Sequence, residues 1–284
     1  MTMILKCLGL ILSGLIILSQ NNLAQKKSVH EPVISGLHTL SIHVMDTVTH
    51  DSVYHFLVDK LKLPVYYYPV TYGARKYVGA YAGNLVLEPC GPYSDYRYAS
   101  NDFRAVFFGL TFEPFKTLSQ ASNELTGRRI NCQAEGNFII FSDSALCGDN
   151  IVISFMDDVN KVNGKNRKID SLKIDMAADT ENELGIEYVS EIVIGYRDNE
   201  GLEKWNELIS PAELKNSIWK VSDLLDFHIV KSNIREVQSI TFKVRSLEKA
   251  RLYLMKNNLA GSFTDNKIGL DQSKAFGLSI YLSE

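Results

Sequence analysis

The sequence has 284 residues, of which 45% are hydrophobic, and its formal net charge is −3. This length is enough to bury the core of one large domain or of two domains of ordinary size. Positive and negative charges are mixed along the chain without a basic stripe, which argues against nucleic acid as a partner.

The N-terminal residues 1–24 have the pattern of a signal peptide. Lys6 precedes an apolar run from Cys7 to Leu18, and a short polar stretch then ends in Leu23-Ala24. These features match the charged, apolar and small-residue regions of a secretory signal, with cleavage after Ala24. The apolar run is short for a bilayer span. The sequence therefore predicts a secreted or periplasmic protein with no membrane span after cleavage; an uncleaved N-terminal anchor is the alternative.

Export implies an oxidising compartment, in which cysteines can form disulfides. Cys132 and Cys147 flank a segment with the pattern of a hairpin, so we predict a disulfide between them. Cys90 would then remain a thiol. Buried free thiols are the alternative for all three cysteines, since their spacing matches no zinc-binding pattern.

From residue 36 onward, one order of signals recurs four times: an alternating strand, an amphipathic helix and further strands. In the first unit, the helix predicted over Asp51–Leu61 places Val53, Phe56 and Leu57 at helical spacing. Four such units predict an α+β fold. The units begin at GLHTLSIHVMD (36–46), RAVFFGLTFEP (104–114), SEIVIGYRD (190–198) and SITFKVRS (239–246).

The repeat also predicts the domain organisation. Residues 25–35 form an N-terminal linker, and the first pair of units makes a domain over residues 36–158. A polar segment with little apolar periodicity, residues 159–185, connects it to the second pair of units over residues 186–284.

Four segments carry a resemblance to known proteins: GLHTLSIHVMD…VYHFLVDKLKLPV, FFGLTFEP…LSQASNELTGRRI, VRSLEKARLYLMKNNL and IGLDQSKAFGLSIYLSE. They resemble the βαβββ modules of the vicinal oxygen chelate (VOC) superfamily, which includes glyoxalase I, bleomycin-resistance proteins and extradiol dioxygenases. The resemblance covers nearly all of residues 36–284. It implies four modules paired into two cup-shaped mixed β-sheet domains with helices on the outer face, and each cup surrounds a small-molecule site.

The resemblance also implies where a cup would hold a divalent metal ion. The family's ligand position lies seven residues before the Asp that follows the first strand, and counting from Asp46 places it at Thr39. Because a strand alternates faces, Thr39, Ser41 and His43 are expected in the first cup and His38 on the opposite, helix-facing side.

The other strands of the first cup add few metal ligands. Glu88 matches the family's glutamate in one register and points outward in the other. The second unit contributes Phe107 and Thr111 as cup-facing candidates. The first cup therefore offers at most His43 and Glu88, short of the three protein ligands that a catalytic metal site shows.

In the second cup, the same count from Asp198 places Glu191 at the ligand position. Asp226 and His228 share a face of a later strand and could meet Glu191, so these three residues are the metal candidates. A Glu–His hydrogen bond, or solvated polar residues on an open sheet face, is the alternative. An extradiol enzyme would be expected to show two histidines and a glutamate, and this sequence does not.

Three functional hypotheses follow. The first is an exported protein that binds a small molecule in a cup without a complete metal triad. The second is a metal-dependent glyoxalase-like lyase or dioxygenase with a non-standard ligand set, and the third is a structural or interaction module. The sequence shows no dinucleotide-binding, P-loop, zinc-protease or nucleophile-elbow motif that would indicate another chemistry.

Overall fold

This computed structural model describes residues 30–93, 104–142, 146, 151–154, 169–179, 182–233, 236–264 and 266–284. Pro32–Glu284 form one compact unit. The predicted signal peptide lies outside the described residues, so export stays a prediction. Within the described ranges, no helix is long and apolar enough to cross a membrane.

Eight strands form the first sheet: β1 (Ile34–Val44), β2 (Val65–Tyr72), β3 (Arg75–Tyr81), β4 (Val86–Gly91), β5 (Ala105–Pro114), β6 (Cys132–Glu135), β7 (Phe138–Phe141) and β8 (Ile151–Ser154). Their order is β2-β3-β4-β1-β5-β8-β7-β6. β1 pairs parallel with β4 and antiparallel with β5, so the first strands of two modules are neighbours at the centre. This is the pairing expected of two βαβββ modules.

Seven strands form the second sheet: β9 (Ile186–Tyr196), β10 (Ile218–Lys220), β11 (Asp226–Lys231), β12 (Val237–Val244), β13 (Ala260–Phe263), β14 (Ile268–Leu270) and β15 (Ile280–Ser283). Their order is β10-β11-β9-β12-β15-β14-β13. β9 and β12 are again antiparallel neighbours at the centre. The predicted α+β fold of paired modules is therefore confirmed.

The described residues contain five α-helices: α1 (Thr47–His55), which continues into a π-helical turn (Phe56–Lys60), α2 (Leu118–Gly127), α3 (Ile169–Ala178), α4 (Asn199–Ile209) and α5 (Leu247–Lys256). Side chains cap the helices that follow the first strands. Oδ1 of Asp46 accepts a hydrogen bond from the Thr49 amide at 2.6 Å, and Asp198 and Ser246 cap α4 and α5 in the same way. These caps fix the turn from strand to helix.

The two sheets share one apolar layer, on the faces opposite the cups. Phe112 of β5 contacts Trp219 of β10 and Phe227 of β11, with ring centroids 6.0 Å apart in both pairs. Buried side chains of the helices join the same cluster, among them Leu125 of α2 and Trp205 of α4. α2 and α4 therefore pack on the convex faces of the sheets, whereas Leu172 of α3 packs on the side of the first sheet that Val86 shares with Thr39.

The segment predicted as a polar linker contains α3. Its residues Ile169, Leu172 and Met176 form a stripe at helical spacing, and Leu172 is fully buried against Tyr66 and Tyr81 of the first sheet. The stripe is difficult to see in the sequence because polar and charged residues and the exposed Ile174 lie between its three members. The linker is therefore partly a helix packed on the first sheet.

The cysteine prediction falls partly outside the described residues. Cys132 begins β6 and is half-buried, whereas Cys90 is buried in β4. Cys147 lies outside the described residues, so its disulfide with Cys132 stays a prediction.

Arg128 ties the C-terminal end of α2 to the C-terminal end of α4. Its side chain is fully buried, and Nη1 donates hydrogen bonds to the carbonyl oxygens of Glu207 (2.8 Å), Leu208 (3.2 Å) and Ser210 (2.8 Å). Nε donates to Glu124 at 3.1 Å. Carbonyls at the C-terminal end of a helix lack hydrogen-bond donors within their own helix. The Arg128 guanidinium therefore supplies donors to the last carbonyls of α4, which belongs to the second half of the chain.

We expect Arg128→Ala to lower the free energy of unfolding by about 2–4 kcal/mol, because buried carbonyls and Glu124 lose their donor. Urea unfolding at about pH 7 measures the change. Arg251→Ala is the matched control: this arginine lies on α5, half-exposed, 3.8 Å from Glu248, and its loss should cost about 0.5 kcal/mol or less. Equal losses in the two variants would contradict the role of Arg128.

Candidate functional site

Strand pairing places four candidate residues on the concave face of the first sheet. Thr39 pairs with Thr111 across β1 and β5, and Ser41 pairs with Glu88 across β1 and β4. Residues that pair in register point to the same face. Thr39, Ser41, Thr111 and Glu88 are therefore neighbours in the first cup, with Glu88 in its cup-facing register.

Two β-bulges move aromatic residues from their expected faces. One register shift leaves His38 as the extra residue of β1, and its Nδ1 lies 2.7 Å from Oγ1 of Thr39. His38 therefore lies on the cup side of the strand and not on the helix side. The second shift pairs Phe107 with Ile42, which puts Phe107 in the hydrophobic core. Phe108 is the extra residue of β5 there.

His43 is held between aromatic rings at the end of β1. Its ring stacks on Tyr93, with centroids 3.6 Å apart and planes 9° apart, and lies 3.8 Å from the ring centroid of Phe108. The guanidinium of Arg75 covers the Tyr93 ring at 4.1 Å. Cup-facing His43 thus belongs to an aromatic cluster and is buried, which leaves little of the imidazole for a metal ion.

Glu88 is the acidic centre of the first cup. The Tyr67 hydroxyl donates a hydrogen bond to Oε1 at 2.6 Å, and the Ser41 hydroxyl donates to Oε2 at 3.2 Å. Burial raises the pKa of the Glu88 carboxyl above its usual range, although both hydroxyls act in the opposite direction. Burial and the neighbouring carboxylate also raise the pKa of the Tyr67 phenol, so Tyr67 remains a donor.

A glycine makes the Tyr67 contact feasible. Tyr67 pairs with Gly79 across β2 and β3, and a Cβ at position 79 would lie 2.5 Å from Cε1 of the Tyr67 ring. The ring therefore crosses the strand where no side chain stands, and its hydroxyl reaches Glu88. The sequence places Tyr67 in a tyrosine-rich stretch without indicating that it donates to Glu88.

In the second cup, the carboxylate of Glu191 is paired with a lysine. Lys267 Nζ donates to Oε1 of Glu191 at 2.8 Å, and Thr241 Oγ1 donates to the same oxygen at 3.1 Å. His228 Nε2 lies 3.5 Å from Oε2. Asp226 stands beside Glu191 in the register of β11 and β9. The structure thus brings Glu191 and His228 together, but the nearest cation is an ammonium group.

Solved structures share this architecture. A variant of homoprotocatechuate 2,3-dioxygenase from B. fuscum superposes with a TM-score of 0.62 at 12% identity, over 91% of this chain and 73% of that chain. The same enzyme from Arthrobacter globiformis gives 0.61 at 12%, over 90% and 81%. The 2,3-dioxygenase LapB from Pseudomonas sp. KL28 gives 0.55 at 10%, over 89% and 92%. No protein-family profile and no curated protein matches the sequence.

These neighbours are extradiol dioxygenases of the VOC superfamily. The chain has the VOC fold. The VOC resemblance of the sequence is therefore confirmed for the fold. A shared fold does not fix the function, which depends on the site residues of this chain.

The metal position that the VOC fold implies does not suit a divalent cation in this chain. Lys267 lies 2.8 Å from Glu191 and 3.4 Å from Thr241, so its positive charge stands where a metal ion would need both oxygens. Two like charges so close repel each other. Over the described part of the chain, no group of three His, Cys, Asp or Glu side chains could hold a metal ion.

Lys267, like Tyr67, is a site residue that was not predicted from the sequence. It precedes the short pattern Ile268-Gly269-Leu270, in which Ile268 and Leu270 are buried. Alternation from these two residues puts Lys267 and Gly269 on the cup face, so the signal was present. Its proximity to Glu191, 76 positions earlier, depends on the pairing of the strands.

Glu191→Gln should lower the free energy of unfolding at about pH 7 by about 0.5–1 kcal/mol, because the ion pair with Lys267 is lost. Burial raises the pKa of Glu191, but the hydrogen bond and charge of Lys267 outweigh it and hold the pKa below its usual value. A carboxyl whose pKa is lower in the folded state than in the unfolded state stabilises the fold at pH values above the unfolded-state pKa. This stabilisation is lost as the pH falls through the folded-state pKa. The difference from wild type should therefore shrink between about pH 5 and about pH 3.

Urea unfolding at several pH values measures this difference. Glu203→Gln, at an exposed position of α4, is the control for an ordinary surface carboxyl. A difference between Glu191→Gln and wild type that grows toward acid pH would contradict the ion-pair assignment.

Proposed function

We propose that this protein is an exported small-molecule-binding protein of the VOC fold and that it binds its ligand in the first cup without a metal ion. The observation that carries the proposal is Glu88, a half-buried carboxyl anchored by Ser41 and Tyr67 on an aromatic-lined concave face. A few placed polar groups among aromatic side chains are typical of small-molecule sites. The signal-peptide pattern of residues 1–24 supports export.

The contrast between the two cups supports a ligand in the first cup. In the second cup, Lys267 lies within hydrogen-bond distance of Glu191 and neutralises the charge of that carboxylate. In the first cup, Ser41, Tyr67 and Glu88 each keep part of their surface accessible. A ligand could therefore still contact all three side chains.

A metal-dependent dioxygenase is the second candidate, because the solved structures described above are dioxygenases. One of these structures contains 3,4-dihydroxyphenylacetate bound to homoprotocatechuate 2,3-dioxygenase. The residues of this chain support that function poorly. Lys267 stands at the metal position of the second cup, and His43 of the first cup is buried between aromatic rings.

We expect purified protein to contain less than about 0.1 equivalent of Fe, Mn, Zn or Ni, because neither cup offers the three ligands of a catalytic site. Elemental analysis by mass spectrometry measures the content. After incubation with Fe(II), the protein should consume no oxygen with 3,4-dihydroxyphenylacetate. One equivalent of metal that is lost in Glu88→Ala or Glu191→Ala would overturn the metal-free proposal in favour of the dioxygenase.

Blocking the first cup should abolish ligand binding. Ser41→Trp fills the space beside Glu88, whereas Val193→Trp places the same side chain on the concave face of the second sheet. Binding of a panel of cationic, neutral and anionic benzyl compounds is measured by ligand-observed NMR. We expect at least one compound to bind wild type and Val193→Trp but not Ser41→Trp. Binding that survives only in Ser41→Trp would place the site in the second cup.

A further inference from the structure

We infer that the ligand of the first cup carries a positively charged ammonium group and that Glu88 is its counter-ion. This inference rests on the proposed function, since it names the chemical class of ligand for the same cup. Three features carry it: the charge balance around Glu88, the aromatic rings beside it and the unused acceptor capacity of its carboxylate.

The charge balance differs between the two cups. Each cup centres on one carboxylate that accepts a hydrogen bond from a hydroxyl of a first strand: Ser41 donates to Glu88, and Thr241 donates to Glu191. The second cup then supplies Lys267 as a cation. Within the described ranges, Glu88 receives its hydrogen bonds from two neutral hydroxyls. An external cation would give Glu88 the charged hydrogen-bond donor that Glu191 already has in Lys267.

The aromatic rings near Glu88 also favour a cation. Tyr67 lies directly against the carboxylate, and Tyr66 meets the Tyr67 ring edge to face with centroids 5.8 Å apart. Two residues beyond Ser41 on β1, His43 stands between Tyr93 and Phe108, and the Arg75 guanidinium lies over Tyr93 at 4.1 Å, so the rings of this cup already hold one cation. The negative faces of aromatic rings attract ammonium groups.

Glu88 has acceptor capacity left for a ligand. A carboxylate offers about four lone-pair positions, and Tyr67 and Ser41 use one on each oxygen. An ammonium group that donates to the remaining positions would make a charge-assisted hydrogen bond, which is stronger than a neutral one. The positive charge of the ammonium group would also counteract the effect of burial, which raises the pKa of Glu88.

Titration calorimetry with benzylamine and benzyl alcohol tests the inference, because the two probes share a ring and differ mainly in charge at about pH 7. Wild type should bind benzylamine at least about tenfold more tightly than benzyl alcohol. Glu88→Gln, which keeps the size of the side chain, should abolish this preference. Glu191→Gln, the matched change in the second cup, should leave it intact, and circular dichroism checks that each variant is folded.

The inference and the proposed function fail in different ways. If benzyl alcohol or phenylacetate binds as tightly as benzylamine and Ser41→Trp blocks that binding, the cation inference is overturned and small-molecule binding in the first cup stands. If Glu88→Gln keeps the preference for benzylamine, Glu88 is not the counter-ion. If none of the probes binds to wild type, both are overturned.

Discussion

The burial of both sheets against one shared apolar layer constrains the rest of this structure. Phe112, Trp219 and Phe227 meet across the two sheets, and buried residues of the helices complete the layer. Apolar burial contributes most of the free energy of folding, so the convex faces cannot be exchanged for the concave ones. The concave faces carry the polar residues that alternate with the buried ones.

Polar groups on a concave face need partners wherever they lose water, and the two cups meet this need differently. Glu191 is stabilised by the ammonium group of Lys267, whereas Glu88 is stabilised by the hydroxyls of Tyr67 and Ser41. A hydroxyl satisfies a hydrogen bond without neutralising a charge. The two cups are thus related by fold, but a lysine donates to Glu191, whereas neutral hydroxyls donate to Glu88.

β-Bulges decide which side chains reach the first cup. Strict alternation along β1 and β5 predicts His38 on the helix side and Phe107 in the cup, and each prediction holds only if no residue is inserted in the pairing. The extra residue at each shift turns His38 toward Thr39 and exchanges Phe107 for Phe108 beside His43. A one-residue insertion in the pairing moves the following side chains to the opposite face of the sheet. The faces of His38 and Phe107 therefore could not be assigned from the sequence of one strand alone.

By itself, the sequence determined the repeat, the α+β fold and most of the cup-facing positions, because hydrophobic alternation and capping residues such as Asp46, Asp198 and Ser246 act locally. It also indicated Ser41, Glu88 and Glu191 as cup residues. Only the tertiary structure decided their partners. Tyr67 reaches Glu88 across Gly79, and Lys267 reaches Glu191 from 76 positions away. Such contacts depend on strand order and register, which are set by the packing of the whole chain and not by any local pattern.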